Sequence, residues 1–95
     1  MSERILLDWD NEIEREIIWL WQGQGHGAAV LKDERRTPAS IRKHFSARIK
    51  ARITKGYKLG LSAEAMKKSL RLNLVAYNFA PDTFPLDEWL EAVVP

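Results

Sequence analysis

The residue types that carry chemistry in small proteins are thinly spread along this chain of 95 residues. His26 and His44 are the only histidines and there is no cysteine, so a zinc site would have to be completed by carboxylates, and none is expected. Ser40, Ser46, Ser62 and Ser69 lie in no nucleophile motif, and Ser62 reads as a helix cap. Gly23, Gly25 and Ala28 of GQGHGAA match the spacing of a dinucleotide fingerprint. That chemistry needs a strand before the glycines and an acid about 20 residues after them for the ribose. Here a helical pattern precedes them, and no acid occurs between Arg35 and Ala63. The stretch therefore reads as a helix-breaking loop, with no cofactor and no enzyme activity expected.

The stronger signal is electrostatic. SIRKHFSARIKARITKGYK, residues 40 to 58, holds Arg42, Lys43, Arg48, Lys50, Arg52, Lys55 and Lys58 and no acid, in a chain whose net charge is only +2. Residues 1 to 34 carry three cations against eight carboxylates, a net of −5. Residues 35 to 71 carry twelve against Glu64 alone, a net of +11, and residues 72 to 95 carry four carboxylates and no cation. The charge is arranged by position, acidic then basic then acidic, as a field that the total conceals.

Those groups must be held by helices. Trp9, Ile13, Ile17, Leu20 and Trp21 recur at helical spacing, which predicts a first helix from Asp8 to Trp21 with Asp8 or Asp10 near its cap. Trp19 falls away from that stripe and needs a partner. Ala28 to Glu34 reads as a short helix. Thr37 and Pro38 restart a helix as N-cap and first residue, and Ile41, Phe45, Ile49 and Ile53 carry it to about Lys55, before Gly56. Tyr57 and Leu59 are expected to tuck inward. Ser62 caps a third helix that runs to about Phe79, where Met66, Leu70, Leu74 and Tyr77 are broadened by Leu72, Val75 and Ala76; that width predicts a central helix buried on more than one side. Pro85 starts a last helix, to Val94, that closes the core. The fold class is all-α: a single-domain bundle over residues 1 to 95 with four main helices, room for a fifth short one, and a helix-turn-helix-like element available around residues 28 to 55.

On the second helix the side opposite Ile41 and Phe45 holds Lys43, Ala47, Lys50, Ala51 and Thr54, a small and positive face that can approach a phosphate chain closely. Arg52 falls inside the apolar sector and must snorkel or pair with an acid, of which the first helix has several. Three destinations compete for this charge: nucleic acid, an acidic protein partner, and pairing within the fold. Nucleic acid is preferred, DNA over RNA because the aromatics look committed to the core. The expected contacts are Arg35, Arg36, Arg42, Lys43, Arg48, Lys50, Lys55, Lys58, Lys67, Lys68 and Arg71. In the rival reading, an interaction or inhibitor module docks the patch on an acidic protein with Trp19 as its anchor. The apolar runs are too short to cross a bilayer and the start, MSERILLDWD, lacks the apolar length of a signal peptide, so a cytoplasmic regulatory or accessory protein is expected.

Overall fold

The computed structural model of the protein describes residues 2–23 and 38–95. The short helix expected at residues 28–34, the cap at Thr37, and His26, Arg35 and Arg36 lie outside the described residues. Helix α1 (Ser2–Gly23) begins well before Asp8. Ile5 and Leu6 pack against the core one turn ahead of Trp9, so the apolar stripe starts earlier than the acids suggested. Asp8 and Asp10 therefore stand in the body of the helix and cap nothing. Trp9, Ile13, Ile17 and Leu20 are buried on its inner face.

Helix α2 (Pro38–Lys58) opens at the expected proline, and its every-fourth-residue stripe of Ile41, Phe45, Ile49 and Ile53 is buried throughout. It does not stop before Gly56. The indole Nε1 of Trp9 donates to the Arg52 carbonyl at 2.7 Å, which lays the ring against the backbone of this turn. A Cβ on Gly56 would meet the Met66 sulfur at 2.7 Å and Trp9 Nε1 at 2.8 Å, so this glycine grants a close approach inside a helix. The chain turns later, at Gly60 with φ +93°. There the amides of Gly60 and Leu61 donate to the carbonyls of Tyr57 and Gly56, both at 3.0 Å, in a Schellman ending. Leu61 is the residue that turns inward, while Tyr57 and Leu59 remain on the exposed side, contrary to expectation.

Helix α3 (Ala63–Ala76) is capped by Ser62, whose Oγ accepts from the Ala65 amide at 3.1 Å. It ends before Phe79 because Asn78 takes the left-handed conformation, φ 66°. The Asn78 amide donates to the Val75 carbonyl at 3.0 Å, and the Phe79 amide to that of Leu74 at 2.9 Å. Only one side of α3 is core, formed by Met66, Leu70 and Leu74 with the polar Ser69 and Asn73; Leu72 and Val75 face outward, so α3 is not the central helix its width had predicted. Helix α4 (Leu86–Glu91) is shorter than predicted, and it closes the core with Leu86, Trp89 and Leu90.

The all-α bundle is thus built on three longer helices and one short one, with no strand among the described residues. Helix α2 runs antiparallel to α1, since Trp9 meets Gly56 and Gly23 meets Ile41. Helix α3 runs parallel to α1, since Asp10 bonds Ser69 and Asn73 while Trp21 meets Tyr77 edge-on at 6.2 Å. The C-terminal segment covers another side of α2 through Phe84, whose ring is 4.9 Å from Phe45 and 5.6 Å from Trp89. Gly56→Ala is expected to cost about 1–3 kcal/mol by overpacking against Trp9 and Met66. Urea denaturation followed by far-ultraviolet circular dichroism measures it.

Candidate nucleic-acid interface

The cations of α2 divide between two edges of the helix, and the divide follows from where the carboxylates of α1 fall. Glu12 and Glu16 are one turn apart on the edge of α1 that meets α2. Glu16 is buried, an acid set within the stripe of Trp9, Ile13 and Leu20. Its two oxygens accept a forked pair of hydrogen bonds from Arg48, through Nε to Oε2 and through Nη2 to Oε1 at 3.2 Å; Arg52 Nη2 adds a third at 3.2 Å. Glu12 takes the other side of Arg52, with Nη1 3.3 Å from its Oε2, and accepts from Lys55 Nζ at 2.8 Å. An antiparallel pair of helices with acids at i, i+4 on one and guanidinium groups at i, i+4 on the other forms such a ladder without bending either backbone.

The ladder sets the ionisation of its members. The hydrogen bond from Lys55, followed by the nearby charges of Arg52, Lys55 and Arg15, outweighs partial burial and holds the Glu12 carboxyl below its ordinary value of 4.5. The hydrogen bond to Glu16 raises the Arg48 guanidinium, which stays charged at any pH the fold survives. The Arg48 guanidinium also lies 5.0 Å over the Trp19 ring, and Trp19 is half-buried against the core. Trp19, the partner anchor of the rival reading, thus lies against its own fold beside the Arg48–Glu16 pair.

The opposite edge of α2 differs. Lys43, Ala47, Lys50, Ala51 and Lys58 are exposed, and Ala47, between Lys43 and Lys50, keeps the surface there low. Arg42 lies 5.8 Å from the centre of the Phe84 ring and Lys50 Nζ 6.0 Å from that of Trp89, so both rest beside aromatic rings, with no carboxylate among the described residues paired to them. Among the described residues, Lys43 and Lys58 have no ion-pair partner either. Of the seven cations of α2, three are neutralised by α1 and four are presented outward.

The three expected contacts on α3 stand elsewhere. Lys67 Nζ is bonded to Asp87 Oδ1 at 2.7 Å, and Lys67 and Arg71 border a groove of about 300 Å³ that also holds Asp82, Asp87 and Glu88. Lys50 lies beside one side of α4 and Lys67 beside the other, so the acidic α4 separates the α3 cations from the α2 stripe. The structure therefore leaves Arg42, Lys43, Lys50 and Lys58 without an α1 carboxylate, turns Arg48 and Lys55 toward α1, and leaves Lys67, Lys68 and Arg71 on another face.

Two features were missed in the sequence. Asp10 Oδ1 accepts from Ser69 Oγ at 2.5 Å and from Asn73 Nδ2 at 2.9 Å, while Asn73 Nδ2 also donates to the Ser69 carbonyl at 2.9 Å. This network joins α1 to α3 with both polar side chains of α3 buried, and Ser69 and Asn73, one turn apart beside Met66, Leu70 and Leu74, were its signal. Glu16 was the second, legible as an acid inside an apolar stripe. No group of three or more potential metal ligands occurs among the described residues. Comparison with family models, with curated proteins and with solved structures found no match.

Glu16→Gln removes the charge from its hydrogen bonds with Arg48 and Arg52, and a loss of about 2 kcal/mol in urea denaturation is expected at neutral pH. A folded-state pKa below the unfolded one contributes stability that is present above the unfolded value and is lost as pH falls through the folded value. The Glu12 contribution is thus complete at pH 7, starts to decline as pH approaches 4.5, and is lost as the carboxyl protonates below that. Glu12→Gln should lower stability at pH 7 by up to about 1 kcal/mol, a difference that shrinks as pH falls through the folded-state value of the carboxyl.

Proposed function

We propose that the protein binds nucleic acid without catalysis, laying the outer edge of α2 along the phosphate chain of duplex DNA as a small regulatory or accessory factor of the cytoplasm. The observation that carries this reading is the contrast between the two edges of one helix. Arg48, Arg52 and Lys55 each have an α1 carboxylate, whereas Arg42, Lys43, Lys50 and Lys58 have none among the described residues. Four cations distributed over about 24 Å of helix, with the short side chains of Ala47 and Ala51 among them, suit contacts to a phosphate backbone.

Duplex is favoured over single strands because the indoles are spent inside the bundle. Trp9 and Trp89 are buried, Trp19 and Trp21 are half-buried, and none offers the open platform on which unpaired bases stack. Contacts of this kind fix position without reading sequence, so the protein should bind duplexes of unrelated sequence alike.

A fluorescence-anisotropy titration with a labelled random duplex and a labelled single strand tests this. Four phosphate contacts give a slope of log K against log salt of about −3.6, so affinity for the duplex should fall roughly a hundredfold between about 50 and 200 mM salt. Lys43→Glu with Lys50→Glu should abolish binding with the helical signal unchanged, while Arg15→Glu, an equal change of charge per site on the far side of α1, should leave most of it. No binding by the wild type at low salt would overturn the reading and direct the stripe to an acidic protein surface.

A further inference from the structure

The cation stripe of α2 ends on an aromatic ring. Lys43, Lys50 and Tyr57 follow one another at seven-residue intervals, so they stand in one line on the outer face of the helix, drifting about 20° and rising about 10.5 Å at each step. Between them the hydroxyls of Ser46 and Thr54 donate to the carbonyls of Arg42 and Lys50, at 2.9 and 3.0 Å, and are thereby turned back onto the helix. The line thus offers two ammonium groups and a phenol, and α2 carries no carboxylate. Tyr57 differs from the other aromatic side chains. They are buried or half-buried, whereas Tyr57 is 42% exposed and its side chain has no hydrogen bond and no ring or cation contact among the described residues. Its backbone is fixed, because the Tyr57 carbonyl accepts from the Gly60 amide at 3.0 Å in the turn that ends α2. Lys58, the next residue, is exposed and has no ion-pair partner among the described residues.

In an intact duplex each base face is covered by its neighbours, and only phosphates and base edges are within reach of a protein. A base outside the stack presents its π-face, which an aromatic side chain covers whatever the base is. One ring accommodates one base. That is too few for a single strand, where successive bases need successive rings, but it suffices for a duplex from which one base protrudes. We propose that Tyr57 stacks on an extrahelical base, so that the preferred ligand is a duplex interrupted by an unpaired nucleotide, with Lys43 and Lys50 on the phosphates of one flank and Lys58 beside the interruption. This inference rests on the duplex reading above and names the class of duplex. A base already extruded spares the complex the cost of unstacking it, which sets the interrupted duplex above the intact one. Lys43 stands about 21 Å from Tyr57 along the helix, about six base-pair steps, so a flank of that length reaches both lysines of the line.

The test compares a duplex of about 12 base pairs that carries one unpaired thymidine at its centre with an identical duplex that has an abasic nucleotide there, both titrated by fluorescence anisotropy at about 50 mM salt. The abasic bulge keeps the flexibility and removes the base. The wild type should bind the thymidine bulge about threefold more tightly than the abasic one, a roughly tenfold gain at one site diluted by the other registers that the duplex offers. At saturation it should also protect the thymidine from permanganate, which attacks the ring double bond of a thymine outside the stack. Tyr57→Leu, an apolar replacement without a π-face, should bind both duplexes with the wild-type affinity for the abasic one and leave the thymidine reactive. Tyr57→Phe should behave as the wild type, since the hydroxyl takes no part. Equal wild-type affinity for the two duplexes with the thymidine still reactive, or protection that persists in Tyr57→Leu, would sink the proposal and leave the duplex reading standing; no binding to either duplex would remove both.

Discussion

Glu16 is a carboxylate with almost no contact with water, and a buried charge is tolerable only where its oxygens are occupied by opposite charge. This one condition sets the relation of the two longest helices. Arg48 and Arg52 reach Glu16 only if α2 runs antiparallel to α1 in a single register, and the same register carries Arg52 and Lys55 to Glu12. Apolar packing of Ile13 and Ile17 against Ile49 and Ile53 would tolerate a shift by one turn, because the stripe repeats every four residues. The ladder does not tolerate it. A shift by one turn would set Glu16 against His44 and Arg48 or against Arg52 and Gly56 and so remove one of its two guanidinium partners, so the charges favour one register where hydrophobic burial supplies most of the stabilisation.

The register then determines how charge appears at the surface. A helix of strongly basic composition is split lengthwise, one edge neutralised by α1 and the other facing outward with Lys43, Lys50 and Lys58. The C-terminal segment adds a second division, since α4 carries Asp87, Glu88 and Glu91 between the cations of α2 and those of α3. Two basic surfaces result where the linear charge pattern showed one, and their surroundings differ. The α2 edge is bordered by alanines and aromatic rings, whereas the α3 edge is bordered by carboxylates and exposed leucine and valine.

The ends of the helices obey the backbone more than the composition. Gly56 is continued through because Trp9 and Met66 need its missing Cβ, and the chain turns where Gly60 and Asn78 adopt positive φ. Each of those turns closes with a paired set of amide-to-carbonyl bonds and returns an apolar residue, Leu61 or Phe79, toward the core. A glycine seen in sequence has both uses, breaking a helix or admitting a neighbour, and nothing local distinguishes them.

Periodicity and capping chemistry, both local, were enough to identify the all-α class, the buried stripe of Ile41, Phe45, Ile49 and Ile53, the Ser62 cap and the need of Arg52 for an acid. These depend on residues within a turn or two of one another, where helix geometry is known in advance. The extent of α1, the role of Gly56, the exposure of Leu72 and Val75, and the separation of Arg48 and Lys55 from Lys43 and Lys50 were decided by tertiary structure. Each depends on which helix comes to lie against which edge, a relation between residues more than 30 positions apart in the case of Arg48 and Glu16. Charge counted along a chain predicts that a field exists; only the packing of the helices determines where that field meets solvent.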